Sequence, residues 1–257
     1  MRFGKLLGMS LSLRAAAATD LGLVRHNNED ASFAGRCLVA VADGIGGMPA
    51  GELASEAVMR ALVALEDGLG GRSPLPALRE AVEAANEEIG EAGRADPVRD
   101  GMGTTVTALL LAGSISGGDG TGAELALLHV GDSRGYLFRG GELCRLTKDD
   151  TFVQELVDQG VLTVDEVRHH PLRSVITRAV QGRPLEPSLA ALTARLGDRY
   201  LLCSDGLSDV VDDAALARTL AAQPAASDCV RELIQQALDA GGPDNITVVV
   251  ADVVEEG

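Results

Sequence analysis

The hydrophobic pattern of the chain changes its period near Gly103. Before that residue, apolar positions recur at helical spacing in two segments, which predicts two amphipathic helices. Their apolar positions are Leu53, Ala57, Val58, Ala61, Leu62 and Leu65, followed by Leu78, Val82, Ala85 and Ile89. After Gly103, short runs rich in β-forming residues follow one another without a helix between them, which predicts antiparallel strands. These runs are GTTVTALLLAG, AELALLHVG, RGYLF and ELCRLT.

Two of these runs, ALLLA and LALLHV, are apolar on both alternating faces, so we expect their strands to be covered on both sides. A sheet packed against a second sheet, with helices outside, meets this requirement. Gly140-Gly141 predicts a two-residue hairpin loop, because glycine readily takes positive φ at both central positions. The sequence thus predicts an α+β fold, with a central antiparallel β-sandwich flanked by helices on both sides in four αββα layers.

The second half of the chain returns to mixed structure. Residues at about 150–185, later called the flap, are polar and irregular, which predicts a lobe inserted into the fold. The elements expected after it are the strand RYLLCS, helices at Ala214–Ala222 and Ser227–Ala240, and the strand NITVVVADV. We therefore expect one domain over residues 15–255, preceded by an N-terminal tail at residues 1–14.

Composition narrows the functional classes. The 257 residues carry a net charge of −16 and only 2% aromatic side chains, which argues against nucleic acid as a partner. No segment approaches the roughly 18–20 apolar residues of a membrane span, so no membrane association is expected. The four cysteines are widely spaced within apolar runs, which predicts reduced, buried thiols in a cytoplasmic protein and not the close clustering of a zinc site. They are Cys37, Cys144, Cys203 and Cys229.

Four aspartates stand at the ends of predicted strands. Asp43, Asp132 and Asp205 each follow an apolar run, and Asp244 immediately precedes one. Taken singly, each is explained as an ordinary turn residue, because Asp and Gly dominate turns. In an antiparallel sandwich, however, the ends of some strands lie beside the starts of others, so all four carboxylates can share one edge.

Such a cluster would need cations. Carboxylates a few ångströms apart repel by about 4 kcal/mol per pair at intermediate dielectric, and hard divalent ions relieve that repulsion. All-oxygen ligands suit Mg²⁺ or Mn²⁺, and two such ions could bridge a hydroxide and present it to phosphorus. Upstream, Arg25 offers a fork of donors for a phosphoryl group, and Glu29 and Asp30 could hold metal-bound waters. The alternative for Glu29 and Asp30 is a solvated charged turn.

Seven motifs occur in an order and spacing that resemble the metal-dependent Ser/Thr protein phosphatases, the type 2C or PPM family. They are RHNNED, VADGIGGMPAGELAS, MGTTVTAL, HVGDSRGYL, ITRAVQG, LLCSDGLSDVV and GGPDNITVVV. The match runs from about Ala17 to Val253 and is most similar to the compact bacterial members. The resemblance implies a β-sandwich with the metal site at one end and a mobile flap that affects substrate choice.

The resemblance also implies a ligand set. Asp43 is the carboxylate that bridges two tightly bound Mn²⁺ or Mg²⁺ ions, and Gly44 lends its carbonyl. Asp205 and Asp244 complete the first metal site. Asp132, together with Asp205, matches the pair that binds a third, looser ion in this family.

Three more residues receive roles by the same resemblance. Glu29 and Asp30 act through water at the second metal, and Arg25 grips the substrate phosphate. The expected activity is hydrolysis of phosphoserine and phosphothreonine in proteins, by in-line attack of a hydroxide that bridges the two ions. Phosphoprotein substrates, a cognate Ser/Thr kinase and a monomeric state are expected with it. No cysteine lies in a nucleophile setting such as C-x5-R, which argues against covalent thiol chemistry.

One position departs from the family pattern. Many eukaryotic relatives have His directly after the Asp-Gly pair, where it can protonate the leaving alkoxide, and this chain has Ile45. We expect a metal-bound water to supply the proton, with His169 and His170 of the flap as alternatives. His129 is predicted to be a core histidine with satisfied hydrogen bonds, and Ser133-Arg134 to hold Asp132 in place.

Two other functions are compatible with parts of this sequence. A family member that binds phosphoproteins without hydrolysing them should lack a metal ligand, whereas all four aspartates are present. A hydrolase of small phosphoesters would use the same metal chemistry. Phosphate release from phosphopeptides and from sugar phosphates distinguishes that activity from protein dephosphorylation.

Overall fold

The computed structural model describes residues 10–45, 50–115, 122–167 and 170–256. Within these ranges the chain forms ten strands. They are β1 (Leu11–Asp20), β2 (Asp30–Ala34), β3 (Leu38–Asp43), β4 (Val106–Ile115), β5 (Gly122–Val130), β6 (Arg134–Arg139), β7 (Glu142–Arg145), β8 (Ser188–Arg195), β9 (Arg199–Cys203) and β10 (Ile246–Glu255). The helices are α1 (Gly51–Val63), α2 (Pro74–Ala95), α3 (Phe152–Asp158), α4 (Val164–Val167), α5 (Asp205–Ser208), α6 (Asp213–Ala222) and α7 (Ala226–Asp239). A short 3₁₀ turn spans Pro97–Arg99.

The strands form two five-stranded antiparallel sheets, in the orders β1-β10-β9-β6-β7 and β2-β3-β4-β5-β8. The hairpin between β6 and β7 turns at Gly140 and Gly141, whose φ angles of 61° and 88° confirm the predicted loop. No helix in the described part of the chain is long and apolar enough to cross a membrane.

Alternation along β3 shows how the layers are built. Leu38, Ala40 and Ala42 pack toward α1 and α2, while Val39 and Val41 pack toward the other sheet. The second sheet has the same arrangement, since its outer face packs against α6 and α7. The four-layer αββα prediction is therefore confirmed, and period-two alternation in apolar strands is its physical origin.

Strand direction brings the predicted acidic residues to one end of the sandwich. β3 and β5 run in the same direction within one sheet, and each ends where an acidic segment begins. In the other sheet, β9 ends beside the start of β10, because the two strands are antiparallel neighbours. Asp43, Asp132, Asp205 and Asp244 all lie at this end.

Two predictions about the chain's periphery are wrong. Residues 11–14, assigned to the N-terminal tail, belong to β1, because Leu11 and Leu13 are buried between the sheets and pair with β10. Cys144, predicted to be buried, is exposed because it lies on the edge strand β7. Cys203 and Cys229 are buried as predicted, and Cys37 is half-buried.

The Glu66 carboxylate holds the turn that leads into β3. It accepts hydrogen bonds from the amides of Arg36 at 2.6 Å, Cys37 at 3.2 Å and Leu38 at 2.8 Å. Leu38 is fully buried, so its amide has no access to water. This side chain therefore fixes the start of the strand that ends at Asp43.

We expect Glu66→Ala to lower the free energy of unfolding by about 2–3 kcal/mol, because it leaves backbone amides without an acceptor. Glu66→Gln retains one acceptor oxygen and should cost less. Asp67→Ala, at the exposed neighbouring residue, is the matched control. Urea denaturation measures all three variants, and equal stabilities for Glu66→Ala and Asp67→Ala would contradict this account.

Candidate functional site

A cavity of about 230 Å³ opens at the end of the sandwich where the acidic residues lie. Seven of the eight predicted site residues line it, and Ile45, Ser174, Ile176 and Asn245 complete its wall. The seven are Arg25, Glu29, Asp43, Gly44, Asp132, Asp205 and Asp244. The eighth, Asp30, is outside the lining but pairs with Asp43 in the β2–β3 register.

The Asp43 corner is held by its backbone. The Asp43 carbonyl accepts hydrogen bonds from the Thr105 amide and the Thr104 hydroxyl, both at 2.8 Å, and the Asp43 amide donates to Thr105 Oγ1 at 3.1 Å. The next amide, that of Gly44, donates to the Glu29 carbonyl at 3.1 Å. These bonds leave the Asp43 carboxylate free to face the cavity.

Thr104 also connects this corner to the flap segment. It forms isolated antiparallel bridges with Gly44 on one side and Val180 on the other. The Thr104 amide donates to the Val180 carbonyl at 3.0 Å, and the Val180 amide returns a bond at 2.9 Å. The return limb of the flap is thus hydrogen-bonded to the residue that supports Asp43.

Burial and mutual repulsion perturb the carboxyl groups. Burial raises the pKa of Asp43 well above its usual value, and the charges of Asp30, Asp205, Asp132 and Asp244 raise it further. The pKa of Asp205 is raised in the same way, first by burial and then by neighbouring aspartates. Burial, with Asp149 and Asp209, raises the pKa of Asp132 to about 7. This end of the sandwich therefore concentrates acids that resist ionisation without a cation.

The surroundings of the Asp30 carboxyl fit a nearby cation. Burial raises the pKa of its carboxyl to about 6, even though Ser204 Oγ donates to its Oδ2 at 2.9 Å. Its other oxygen, Oδ1, is buried without a hydrogen-bond partner in the described structure. An unpartnered carboxylate oxygen and an all-oxygen donor set fit a hard divalent cation or its water shell.

The carboxylates do not form a finished coordination shell. Within the residues that the structure describes, no three His, Cys, Asp or Glu side chains are grouped tightly enough to hold an ion by themselves. One of them, Asp244, is engaged elsewhere: its Oδ2 accepts a 2.7 Å bond from Arg25 Nη2. That bond, together with nearby carboxylates, raises the pKa of Arg25. The cavity brings the predicted ligands together with one of them paired to the predicted phosphate-binding arginine.

Asn245 positions the Arg25 loop, a role that the sequence analysis did not assign. Its Nδ2 donates to the carbonyls of Leu21 and Asn27, each at 3.0 Å, and its Oδ1 accepts from the Glu29 amide at 2.9 Å. The side chain therefore ties the start of β10 to the loop before β2. The sequence indicates this role only through the position of Asn245, directly after Asp244 and just before a strand. In the structure the Asn245 side chain is buried.

Ser133 and Arg134 have the contacts that holding Asp132 requires. Ser133 Oγ lies 2.7 Å from Thr105 Oγ1, and Arg134 makes a bidentate pair with Asp149. Burial alone would raise the pKa of Asp149, but Arg134 and a second arginine outweigh it and lower the pKa. The turn after β5 is therefore fixed at both residues that follow Asp132.

The histidines differ from one another in their surroundings. His129 is buried, with Nδ1 3.0 Å from Thr107 Oγ1 and Nε2 2.9 Å from the Lys148 carbonyl, so the prediction of a satisfied core histidine is confirmed. His170 accepts the Leu172 amide at Nδ1 and is not among the described residues that line the cavity. His169 lies outside the described residues. Ile45 does line the cavity, where it offers no proton.

Comparison with known proteins gives a consistent result. The family model for protein phosphatase 2C matches residues 25–242. The serine/threonine protein phosphatase PstP of Mycobacterium tuberculosis is 51% identical over 247 residues, covering 96% of this chain and 46% of that protein. This chain therefore spans about half the length of that relative. The serine/threonine phosphatase stp of Listeria monocytogenes is 32% identical, with 95% of this chain and 98% of that protein covered.

Solved structures agree with the sequence comparisons. A crystal structure of the M. tuberculosis PstP phosphatase superposes with a TM-score of 0.87 at 51% identity, covering 95% of this chain and 100% of that chain. The PstP catalytic domain in complex with two manganese ions gives a TM-score of 0.86 at 50% identity, with the same coverage. With the family model matching most of its length, this chain belongs to the protein phosphatase 2C family.

Proposed function

We propose that this protein is a Mn²⁺- or Mg²⁺-dependent phosphatase that hydrolyses phosphoserine and phosphothreonine in proteins. The observation that carries the proposal is a cavity at one end of the sandwich that is lined by acidic residues from both sheets, with Arg25 in its wall. Family membership and the manganese-bound relative support the metal requirement.

We assign metal ligation to the buried carboxylates. Asp43 is the bridging ligand with the Gly44 carbonyl beside it, and Asp205 and Asp244 complete the first site. Asp132 joins Asp205 at a third, looser position. The raised pKa values of Asp43, Asp132 and Asp205 support this assignment, because each has charge that an ion would stabilise.

Glu29 and Asp30 hold the water shell at the second position. Glu29 lines the cavity, and Asp30 keeps one buried oxygen free of other partners among the described residues. Ser204 orients the Asp30 carboxyl through its other oxygen.

The chemistry divides between the ions and the chain. Bound divalent ions supply an activated water for attack on phosphorus and stabilise the charge of the transition state. Arg25 binds the phosphoryl oxygens and orients the group for in-line displacement. In the structure Arg25 is paired with Asp244, so the guanidinium has to leave that carboxylate to bind a phosphoryl group, and Asp244 would then be free to ligate an ion. Ile45 offers no proton, so the alkoxide that leaves takes its proton from water in the cavity.

The proposed activity also implies protein partners. The substrates are phosphoproteins, and a Ser/Thr kinase that phosphorylates them is the natural counterpart. We propose that the chain acts as a monomer in the cytoplasm.

Removing Asp205 or the metal should abolish hydrolysis. We expect Asp205→Asn to reduce Mn²⁺-dependent hydrolysis of an aryl phosphate by about 100-fold or more, since it removes a charged ligand from the cavity. EDTA should abolish wild-type activity, and added Mn²⁺ should restore it. Phosphate release from phosphopeptides and from sugar phosphates, measured side by side, tests the substrate class.

Asp67→Asn is the control for that measurement, because Asp67 is exposed next to Glu66, at the opposite end of β3 from Asp43. Thermal unfolding should show that both variants fold. Full activity in Asp205→Asn would refute the ligand assignment, and a preference for sugar phosphates would refute the protein substrate.

Arg25 should act on substrate affinity more than on metal uptake. We expect Arg25→Ala to raise KM for an aryl phosphate by about tenfold or more, because a charge-assisted bond to phosphate is lost. Arg25→Lys keeps the positive charge but lacks the planar fork of donors, so its KM should lie between those of the wild type and Arg25→Ala. Manganese titration by calorimetry should show undiminished binding, since Asp244 is released from its ion pair. An unchanged KM in Arg25→Ala would contradict the assignment.

The pKa of Asp132 predicts a pH-dependent stability of the metal-free protein. Its pKa rises from 3.8 to about 7 on folding, so the folded state binds the extra proton between these values. The contribution of this group to the free energy of unfolding is therefore lost as the pH rises toward 7. Asp132→Asn cannot ionise, so its free energy of unfolding does not fall for this reason. In EDTA, we expect the variant's stability advantage in urea denaturation to grow by about 2 kcal/mol between pH 5 and pH 8. A constant difference across this range would contradict it.

A further inference from the structure

Exposed apolar side chains are concentrated in the two chain segments that also supply Arg25, Ser174 and Ile176 to the cavity wall. Eight large apolar side chains are exposed in the part of the chain that the structure describes, and five of them lie within four positions of a cavity-lining residue. We call these five the apolar rim: Leu21, Leu23, Val24, Leu172 and Val175. Single apolar residues scattered over a surface are ordinary, whereas a cluster of them marks a binding surface. The apolar rim is therefore a candidate ligand-binding surface.

One side of the rim is a rigid turn next to Arg25. Leu23 and Val24 are 68% and 62% exposed, yet the Leu23 amide donates to the Gly242 carbonyl at 2.8 Å. Gly22 has a φ of 75°, and a Cβ there would lie 2.1 Å from the Asp244 carbonyl oxygen. The turn is therefore fixed against the segment that carries Asp244, and it presents its aliphatic side chains to solvent in a defined place.

The other side of the rim is the flap. Leu172 and Val175 are each 44% exposed, and they are interleaved with Ser174 and Ile176, which line the cavity. The Val175 amide donates to the Leu172 carbonyl at 3.2 Å, and the Val175 carbonyl accepts from the Phe152 amide at 2.9 Å. On the flap side, Val175 thus stands between two residues of the cavity wall, and on the other side Val24 directly precedes Arg25.

We propose that the apolar rim docks the peptide around the phosphorylated residue and selects substrates with aliphatic side chains beside it. The inference rests on the proposed function, because it requires a phosphopeptide whose phosphate lies at Arg25. An extended peptide advances about 3.3 Å per residue, so side chains one or two positions from the phosphoresidue reach past the edge of the cavity. Val24 directly precedes Arg25 and Leu23 lies one position further, so we expect both to contact those side chains.

Charge favours the same class of peptide. The protein has a net charge of −16, and five acidic residues line the cavity. Two divalent ions bound to the cavity acids would leave most of this net charge in place, so acidic side chains next to the phosphate are repelled by the protein as a whole, whereas aliphatic ones lose water against the rim. The substrate class is therefore a phosphoserine or phosphothreonine segment with aliphatic flanks and without acidic ones.

The test measures discrimination between matched phosphopeptides. Four phosphothreonine peptides carry Leu or Ser two positions before and two positions after the phosphoresidue, with all other residues identical. We expect wild-type kcat/KM to favour the doubly Leu-substituted peptide over the doubly Ser-substituted one by about tenfold. Leu23→Ser should reduce that ratio to about twofold, and Leu23→Met should preserve it.

The control is Leu196→Ser. Leu196 is 48% exposed in the turn between β8 and β9, at the end of the sandwich opposite the cavity. This variant should keep the wild-type ratio. A second variant, Leu172→Ser, tests the flap side independently, so an unforeseen effect of Leu23→Ser on the adjacent Arg25 does not decide the result.

The outcomes separate the two proposals. If the wild type hydrolyses all four peptides equally well, or if both rim variants keep the wild-type ratio, the rim does not select the substrate although the phosphatase function stands. If the wild type hydrolyses an aryl phosphate but no phosphopeptide, the proposed function fails and the rim proposal fails with it. Sedimentation of the same proteins tests whether a second copy of the chain binds the rim instead. A wild-type dimer that Leu23→Ser dissociates, together with a kcat/KM ratio near one between the doubly Leu- and doubly Ser-substituted peptides, would overturn substrate docking. The rim would then be a self-association surface.

Discussion

Repulsion among buried carboxylates is the constraint on which the rest of this structure depends. Two such groups about 4 Å apart repel by about 4 kcal/mol at intermediate dielectric, a large share of the stability of an ordinary domain. The fold nevertheless brings Asp43, Asp132, Asp205 and Asp244 to one cavity. Raised pKa values and the Arg25–Asp244 pair show how the chain tolerates this charge without ions.

Other buried carboxylates in the protein are handled differently. Asp149, Asp198 and Asp252 each pair with an arginine, which neutralises them where they are needed for structure. Among the described residues, no ion pair involves Asp43 or Asp205. These sites are supported instead by neutral hydroxyl, amide and backbone groups. Neutral groups hold these two aspartates in place without neutralising their carboxylates. The negative potential of the carboxylates can therefore attract a cation.

Much of the architecture could be predicted from the sequence. The change of hydrophobic period near Gly103 marked the step from the helices α1 and α2 to the consecutive strands β4 to β7, and strands apolar on both faces required layers on both sides. The Asp-Gly junctions pointed to one edge, since antiparallel strands return there. These predictions succeeded because they rest on the periodicity of burial, which a single sequence records.

The supporting contacts could not be predicted in the same way. Asn245 bonds to residues more than 200 positions away, and Glu66 bonds to a turn 28–30 positions earlier in the chain. Nothing in the local pattern specifies such partners, because they depend on how loops from different sheets meet. The start of β1 was misplaced for a related reason: Leu11 and Leu13 are buried only through pairing with the last strand. Long-range pairing, and not local propensity, decides these positions.

The double bridge of Thr104 links the Asp43 corner of the cavity to the flap. Val180 is joined through Thr104 to the Asp43 corner, and Ile176 is bridged to Thr151 at the other limb of the flap. The first bridge ties the return limb of the flap to the sandwich, and the second ties the two limbs to each other. Displacing the lobe as a rigid body would therefore break hydrogen bonds at the residue that supports Asp43. The base of the flap and the Asp43 corner thus form one hydrogen-bonded unit.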